Sequence, residues 1–136
     1  MDDEDGNGLI TIASAHSVHE TIDRLAAIVA SKGLTVFARI DHGAGAEAAG
    51  MALRPTELLI FGHAKGGTPL MQDRRTAAID LPVKALAWED ESGTVWLTTN
   101  DPAWIAERHA LGPASAAAVT AIAAGIAAVT KAAAGG

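Results

Sequence analysis

No cysteine occurs in the 136 residues of the chain. This excludes a disulfide framework, a thiolate nucleophile and a zinc–thiolate site, and it permits a reducing compartment. Tyrosine is missing too, and aromatic surface is limited to two Phe and three Trp. Positive charge is scarce: ten Lys and Arg stand against sixteen Asp and Glu, a formal net charge of −6. Arg74 and Arg75 form the single adjacent basic pair. A chain that is acidic and short of stacking rings repels phosphate backbones, so no nucleic-acid partner is expected.

The start, MDDEDGNG, is acidic, the reverse of a basic signal-peptide opening. The reading is an acidic tail over residues 1–8 and a cytoplasmic location. The longest apolar run, Ala114–Ala134, is mostly alanine and is interrupted by Thr120, Gly125, Thr130 and Lys131. Alanine buries too little area for firm insertion, so a packing helix or tail is expected and no membrane partner. What the chain does have is a hydrophobic share of 49%, ample for one packed core at this length. The expected division is a tail over 1–8, a domain over 9–112, and an alanine-rich helix or tail over 113–136.

Periodicity supplies the elements. Gly8–Ala13 reads as a strand. Ser17-Val-His-Glu20 has the form of a capping box, followed by Ile22, Leu25, Ala26 and Val29 at helical spacing and by Gly33 at a C′ position. Leu34–Asp41 alternates, with Leu34, Val36, Ala38 and Ile40 on one side and Thr35, Phe37, Arg39 and Asp41 on the other. A short helix fits from Ala44, and Thr56–Phe61 reads as a buried strand. Gly62–Thr68 is expected as a loop, with Thr68-Pro69 opening a short helix to Arg74. Val83–Glu89 and Thr94–Thr99 make a hairpin that sets Trp88 across from Trp96. Asn100-Asp101-Pro102 opens a helix carrying Trp104, Ile105 and His109. The order β-α-β-α-β-α-β-β-α implies an α+β fold, a largely antiparallel sheet with helices packed on one face. The other face then needs cover, which a homodimer would supply.

The blocks LTVFARIDHGAGAEAAGMALRPTELLIFG (34–62), GTPLMQ (67–72) and DLPVKALAWEDESGTVWLTTNDPAW (80–104) together resemble the domain-of-unknown-function 302 family. The likeness runs from about Thr11 to His109 and rests on the joint presence of IDH, LRPTELLIFG, GTPLM and DLP. It implies a small α/β domain of TBP-like topology, often dimeric, to which no activity is assigned. His63-Ala64 stand where that family's pattern has Asn-Pro, and Gly112–Gly136 lies outside the likeness.

Chemistry is carried by few residues. Asp41-His42 ends a strand, where a carboxylate orienting an imidazole would make His42 a general base or ligand; alternatively Asp41 caps the helix near Ala44. His63 ends the next strand. If those strands run parallel, His42, His63 and Asp41 share a rim as a two-His, one-carboxylate set suited to a transition metal. Gly62–Thr68 lacks the Gly-Lys-Ser/Thr of a nucleotide loop, although Gly66, Gly67 and Thr68 before a helix offer a weaker anion site beside Lys65. Arg54 is placed to clamp a carboxylate. His16 and His19 are expected to face water. No motif names a cofactor. Three readings stay open: a homodimeric small-molecule-binding or accessory domain lined by Asp41, His42, Arg54, His63, Lys65, Gly67 and Thr68; a small enzyme using His42 or His63 with Asp41; and a protein-interaction module.

Overall fold

A computed structural model describes residues 7–136; most of the acidic start lies outside them. Five strands form one fully antiparallel sheet in the order β1-β5-β4-β3-β2. They are β1 Leu9–Ser14, β2 Thr35–Asp41, β3 Thr56–Gly62, β4 Val83–Glu89 and β5 Val95–Asn100. Strand β1 therefore closes one edge, and the hairpin β4–β5 sits beside it with Trp88 paired to Trp96, ring centroids 6.4 Å apart. The helices are α1 Val18–Ser31, α2 His42–Ala48, α3 Ala64–Asp73, α4 Pro102–Arg108 and α5 Ala116–Ala134.

Helix α1 starts where its cap says it should. Ser17 accepts a hydrogen bond from the Glu20 amide at 3.1 Å, and Gly33, at φ +74°, lets the chain leave the last turn. The reciprocal half of the capping box is not made, because the Glu20 carboxylate meets the His16 ring instead. Ile22, Leu25 and Val29 lie fully buried against Leu59, Ala85 and Leu97. Each such aliphatic side chain contributes roughly 1.5–3 kcal/mol on burial, so α1 and the middle three strands are the centre of the core.

The alanine-rich C-terminal segment is a helix that belongs to this core. Ile126, Val129, Ala133 and Ala134 of α5 pack with α1 on the same face of the sheet. Its end is tied down three ways: Arg24 donates to the carbonyls of Ala132, Ala133 and Gly135, the His16 ring bonds the Gly135 carbonyl, and the Ala15 amide bonds Ala134. His16 thus holds the helix terminus and does not simply face water. By length and composition Pro113–Ala134 is also apolar enough to cross a bilayer.

Two expectations fail for local reasons. Gly62–Thr68 is not a loop: α3 begins at Ala64, because the His63 ring accepts the Lys65 amide at 3.0 Å and caps the helix five residues early. The alternation expected along β2 breaks at a bulge between Val36 and Ala38. Beyond the bulge, Ala38 and Ile40 pair with Ile60 and Leu58 on the face away from the helices, while Arg39 and Asp41 take the helix side.

Candidate functional site

The structure separates the sequence-derived candidates into two groups. Because β2 and β3 run antiparallel, Asp41 lies across from Glu57 while Thr35 lies across from Gly62. Asp41-His42 and His63 therefore sit at opposite ends of the sheet, about 20 Å apart at ~3.3 Å per strand residue. The two histidines do not share a rim, and no group of three His, Asp or Glu suited to a metal exists among the described residues. Asp41 is spent as the N-cap of α2, accepting the Ala44 amide at 2.8 Å, and His42 is an exposed first residue of that helix. Arg54 pairs with Glu89 at 2.9 Å and donates to the Glu91 carbonyl, so its guanidinium clamps its own chain. The anion site fails as well. Gly66 and Gly67 direct their amides at the His63 carbonyl, leaving no cradle of open N–H groups.

His63, Gly66, Gly67 and Thr68 instead border a cavity of about 470 Å³ between α3, α5 and the C-terminal end of β3. Phe61 and Val83 come from the sheet, Met71 from α3, Leu81 and Pro82 from the connection to β4, and Ala121, Ile122 and Gly125 from α5. Phe37, placed by the β2 bulge and 53% exposed, closes the sheet-edge side. The surface is almost wholly apolar; His63 and Thr68 are its polar side chains. Lys65 is exposed on the same helix but does not border the cavity. The walls are braced at one end, where Asp73 of α3 accepts the Ser115 hydroxyl at 2.7 Å and the Gly112 amide at 2.9 Å. Those two bonds, the hydroxyl first, hold the Asp73 carboxyl below its ordinary value. They lock α3 against the start of α5, so the cavity is framed before anything enters it.

Two polar clusters lie apart from the candidate site residues, and the first is built on a pairing of Arg39 with Glu57, one of the carboxylates the sequence offers to its arginines. At the far end of β3, Glu57 points to the helix side and is only 5% exposed. Arg39 of β2 reaches it through Nε and Nη2 at 3.1 and 2.9 Å and also bonds Asp23 of α1 at 2.7 Å. The His19 ring adds a 3.0 Å contact to Glu57. Every charge in this cluster has a partner, which marks it as a clasp between α1 and the sheet edge. The His19–Asp23 spacing of four on α1 is the signal that adds the helix to this cluster.

The second cluster is a chain of hydroxyl, imidazole and carboxylate. Thr76 lies 3.0 Å from His109 Nδ1, and Asp80 lies 2.6 Å from its Nε2. Arg108 also bonds Asp80, at 3.1 Å, and stacks over Trp104. His109 is buried at the end of α4, so this chain fastens α4 to the 3-10 turn Arg75–Asp80. Thr76 borders neither that cavity nor the shallow groove by Met51 and Leu53.

With the geometry in place, comparison with known proteins gives the family. The family model described as "Domain of unknown function DUF302" matches residues 10–129. The chain belongs to the DUF302 family. The match extends twenty residues beyond His109 and takes in most of α5, in accord with that helix's place in the core. A DUF302 protein from Bacillus stearothermophilus, described as uncharacterized and conserved, has the same fold: TM-score 0.81 at 17% identity, covering 93% of this chain and 98% of that one. Two curated relatives are much nearer in sequence. Each is named "Fluoride-specific ion channel FluC 1", one from Brucella suis biovar 1 (strain 1330) and one from Brucella abortus biovar 1 (strain 9-941). Both are 60% identical over 129 residues, which is 95% of this chain but 51% and 48% of the relatives. This DUF302 chain thus spans about half the length of the curated relatives it matches.

Proposed function

We propose that this domain is a small-molecule-binding, non-catalytic module whose site is the cavity between α3, α5 and the end of β3. The observation that carries the reading is the cavity itself. Ligand sites are concave, mostly apolar clefts of roughly 300–1,000 Å³, and this one, open on one side, holds about 470 Å³. The apolar lining supplies affinity, and His63 and Thr68 supply the few oriented polar groups such sites use. Neither polar cluster offers a comparable concavity, His63 lies at the opposite sheet end from Asp41, and Asp41 caps α2 rather than orienting His42, which weighs against the acid–base alternative.

The relatives suggest a setting. The channel in their names is best assigned to the half of each protein that this chain does not match. Among the described residues one helix has the length and composition to cross a bilayer, and it is built into this domain's core. On this reading the DUF302 half senses or holds a ligand beside a channel, or does the same free-standing.

We further propose that two copies pair through the uncovered sheet face. Ile40, Leu58, Ile60, Leu86, Trp88 and Trp96 share that face and are covered by no helix. Met51 and Leu53, at 69% and 52% exposure, extend the apolar surface at the α2 end. Five strands at ~4.8 Å spacing and ~20 Å length give a flat face of roughly 400–500 Å², a little over half of the ~800 Å² per partner of a stable pair, and corrugation and the α2 flank add to it.

Two measurements test these readings. A panel of uncharged and charged small molecules is screened by thermal shift; binding predicts a saturable rise of several degrees in Tm for some members, lost in Gly125→Leu. A panel that shifts nothing, or shifts both forms equally, removes the cavity as the site. For the pair, sedimentation of wild type and Leu58→Glu should give a dimer and a monomer. A monomeric wild type at 100-fold dilution ranges up to ~100 μM would end that proposal.

A further inference from the structure

Gly125 has no explanation within the chain. Helix α5 holds eleven alanines in nineteen residues, so alanine is the ordinary small residue of this helix, and glycine is a weaker helix former. A Cβ at position 125 would meet nothing within 4 Å. Neither close packing nor a left-handed backbone demands glycine there. Across the cavity, α3 carries Gly66 and Gly67 inside a helix, where a Cβ would make ordinary contacts, at 3.7 Å to Ile122 and 3.6 Å to Leu81. Alanine would fit at all three positions, each of which borders the cavity, and at Gly66 and Gly67 its methyl would face Ile122 and Leu81 of the lining. What glycine preserves at these places is room, and that points to an occupant.

The chemistry of the lining says what kind. Among the described residues no Asp, Glu, Lys or Arg borders the cavity. A carboxylate or ammonium placed there would lose hydration with no partner, a cost that excludes it from tight binding. His63 accepts the Lys65 amide through Nδ1, so its ring proton is on Nε2 and free to donate. Thr68 adds a hydroxyl on the same helix. At about 30 Å³ per water-sized group, the volume admits on the order of ten to fifteen non-hydrogen atoms.

We infer that the cavity takes a neutral, slender, mainly aliphatic molecule of ten to fifteen non-hydrogen atoms with one uncharged oxygen, a medium-chain alcohol or acyl carbonyl, held by His63 and Thr68. This inference rests on the binding reading above and goes beyond it in naming the ligand class. The apolar body lies between the glycine faces of α3 and α5 beside Phe37 and Met71, and the oxygen meets the polar mouth.

The test is calorimetric titration of the full chain with 1-decanol, decanoate and decyltrimethylammonium, all below their aggregation concentrations. Wild type is expected to bind 1-decanol at least tenfold more tightly than either ion. Gly125→Leu should lose that binding at least tenfold while melting at or above the wild-type temperature, and Gly125→Ala should show a smaller loss. His63→Leu should weaken 1-decanol severalfold. Tightest binding of decanoate or of the ammonium would overturn the neutral class and leave the cavity as the site. Equal 1-decanol binding by wild type and Gly125→Leu would overturn the cavity reading as well. If none of the three binds, the aliphatic class is wrong, and the panel of the preceding section decides separately whether the cavity binds anything.

Discussion

Strand β3 meets its surroundings in opposite ways at its two ends. At the start, Glu57 is enclosed by Arg39 and His19, with Asp23 behind the guanidinium, and each charge is matched. At the finish, Phe61 and Gly62 open onto an apolar cavity whose walls do not meet. The first end is complete as it stands; the second is an apolar cleft open on one side. A closed polar cluster looks more like chemistry in a bare sequence, but full satisfaction is what structural charges require. The apolar cleft bordered by Gly66, Gly67 and Gly125 has the concavity that the charge cluster lacks, which is why the less conspicuous end carries the proposed site.

The largest effect should come from breaking the complete end. Glu57→Ala leaves Arg39 with Asp23 alone beside a buried strand, and a loss of roughly 2 kcal/mol is expected, discounted for the partial exposure of Arg39. Urea unfolding would measure it. The paired variant Arg39→Met with Glu57→Leu should recover most of that loss, because apolar replacement of a whole ion cluster is often neutral. If the single variant costs less than about 0.5 kcal/mol, a threshold set by ordinary surface substitutions, the clasp is not structural and the contrast collapses.

The apolar end predicts the reverse sign. Gly125→Ala should stabilise the fold by up to about 1 kcal/mol, since it improves helix propensity and meets no neighbour. A destabilised Gly125→Ala would mean that the helix face at 125 is under a constraint the cavity does not explain. Together the two results would separate residues kept for the fold from residues kept at its expense.

Much of this was legible in the residues. The α+β class, the β4–β5 hairpin with its tryptophan pair, and the starts of α1 and α4 follow from caps and periodicity that act locally. The site was legible only in part. His63, Gly67 and Thr68 were chosen for a polar loop and turned out to edge an apolar cavity, because a histidine ring caps α3 where a serine or threonine is usually sought. Asp41, His42 and Arg54 were chosen for positions at strand ends, but which end depends on strand direction, a property of the whole sheet. The cavity's far wall comes from α5, sixty residues beyond His63, and the bulge that turns Phe37 toward it leaves no mark in the β2 pattern.

The smallest effect concerns pH, and its sign sharpens the contrast from the complete end. The hydrogen bond to Glu57, then the charges of Asp23 and Glu57, raise His19 above its ordinary 6.5, against opposing desolvation and Arg39. The contribution of His19 is therefore fully present below pH 6.5 and is lost as pH rises through the raised folded value. Asp23 behaves oppositely. The Arg39 hydrogen bond holds it below its ordinary 3.8, so its contribution is present above that value and is lost as pH falls through the folded one. Both contributions coexist between about pH 4 and 6.5, and the clasp should be firmest there. His19 is largely exposed, so salt should shrink the upper limb. Urea midpoints measured from pH 2 to 9 should fall gently on the alkaline side for wild type and stay flatter for His19→Gln, with the acid limb unchanged. An alkaline slope that survives His19→Gln would place its source outside the clasp and leave Asp23 as the cluster's titrating contribution, on the acid side alone.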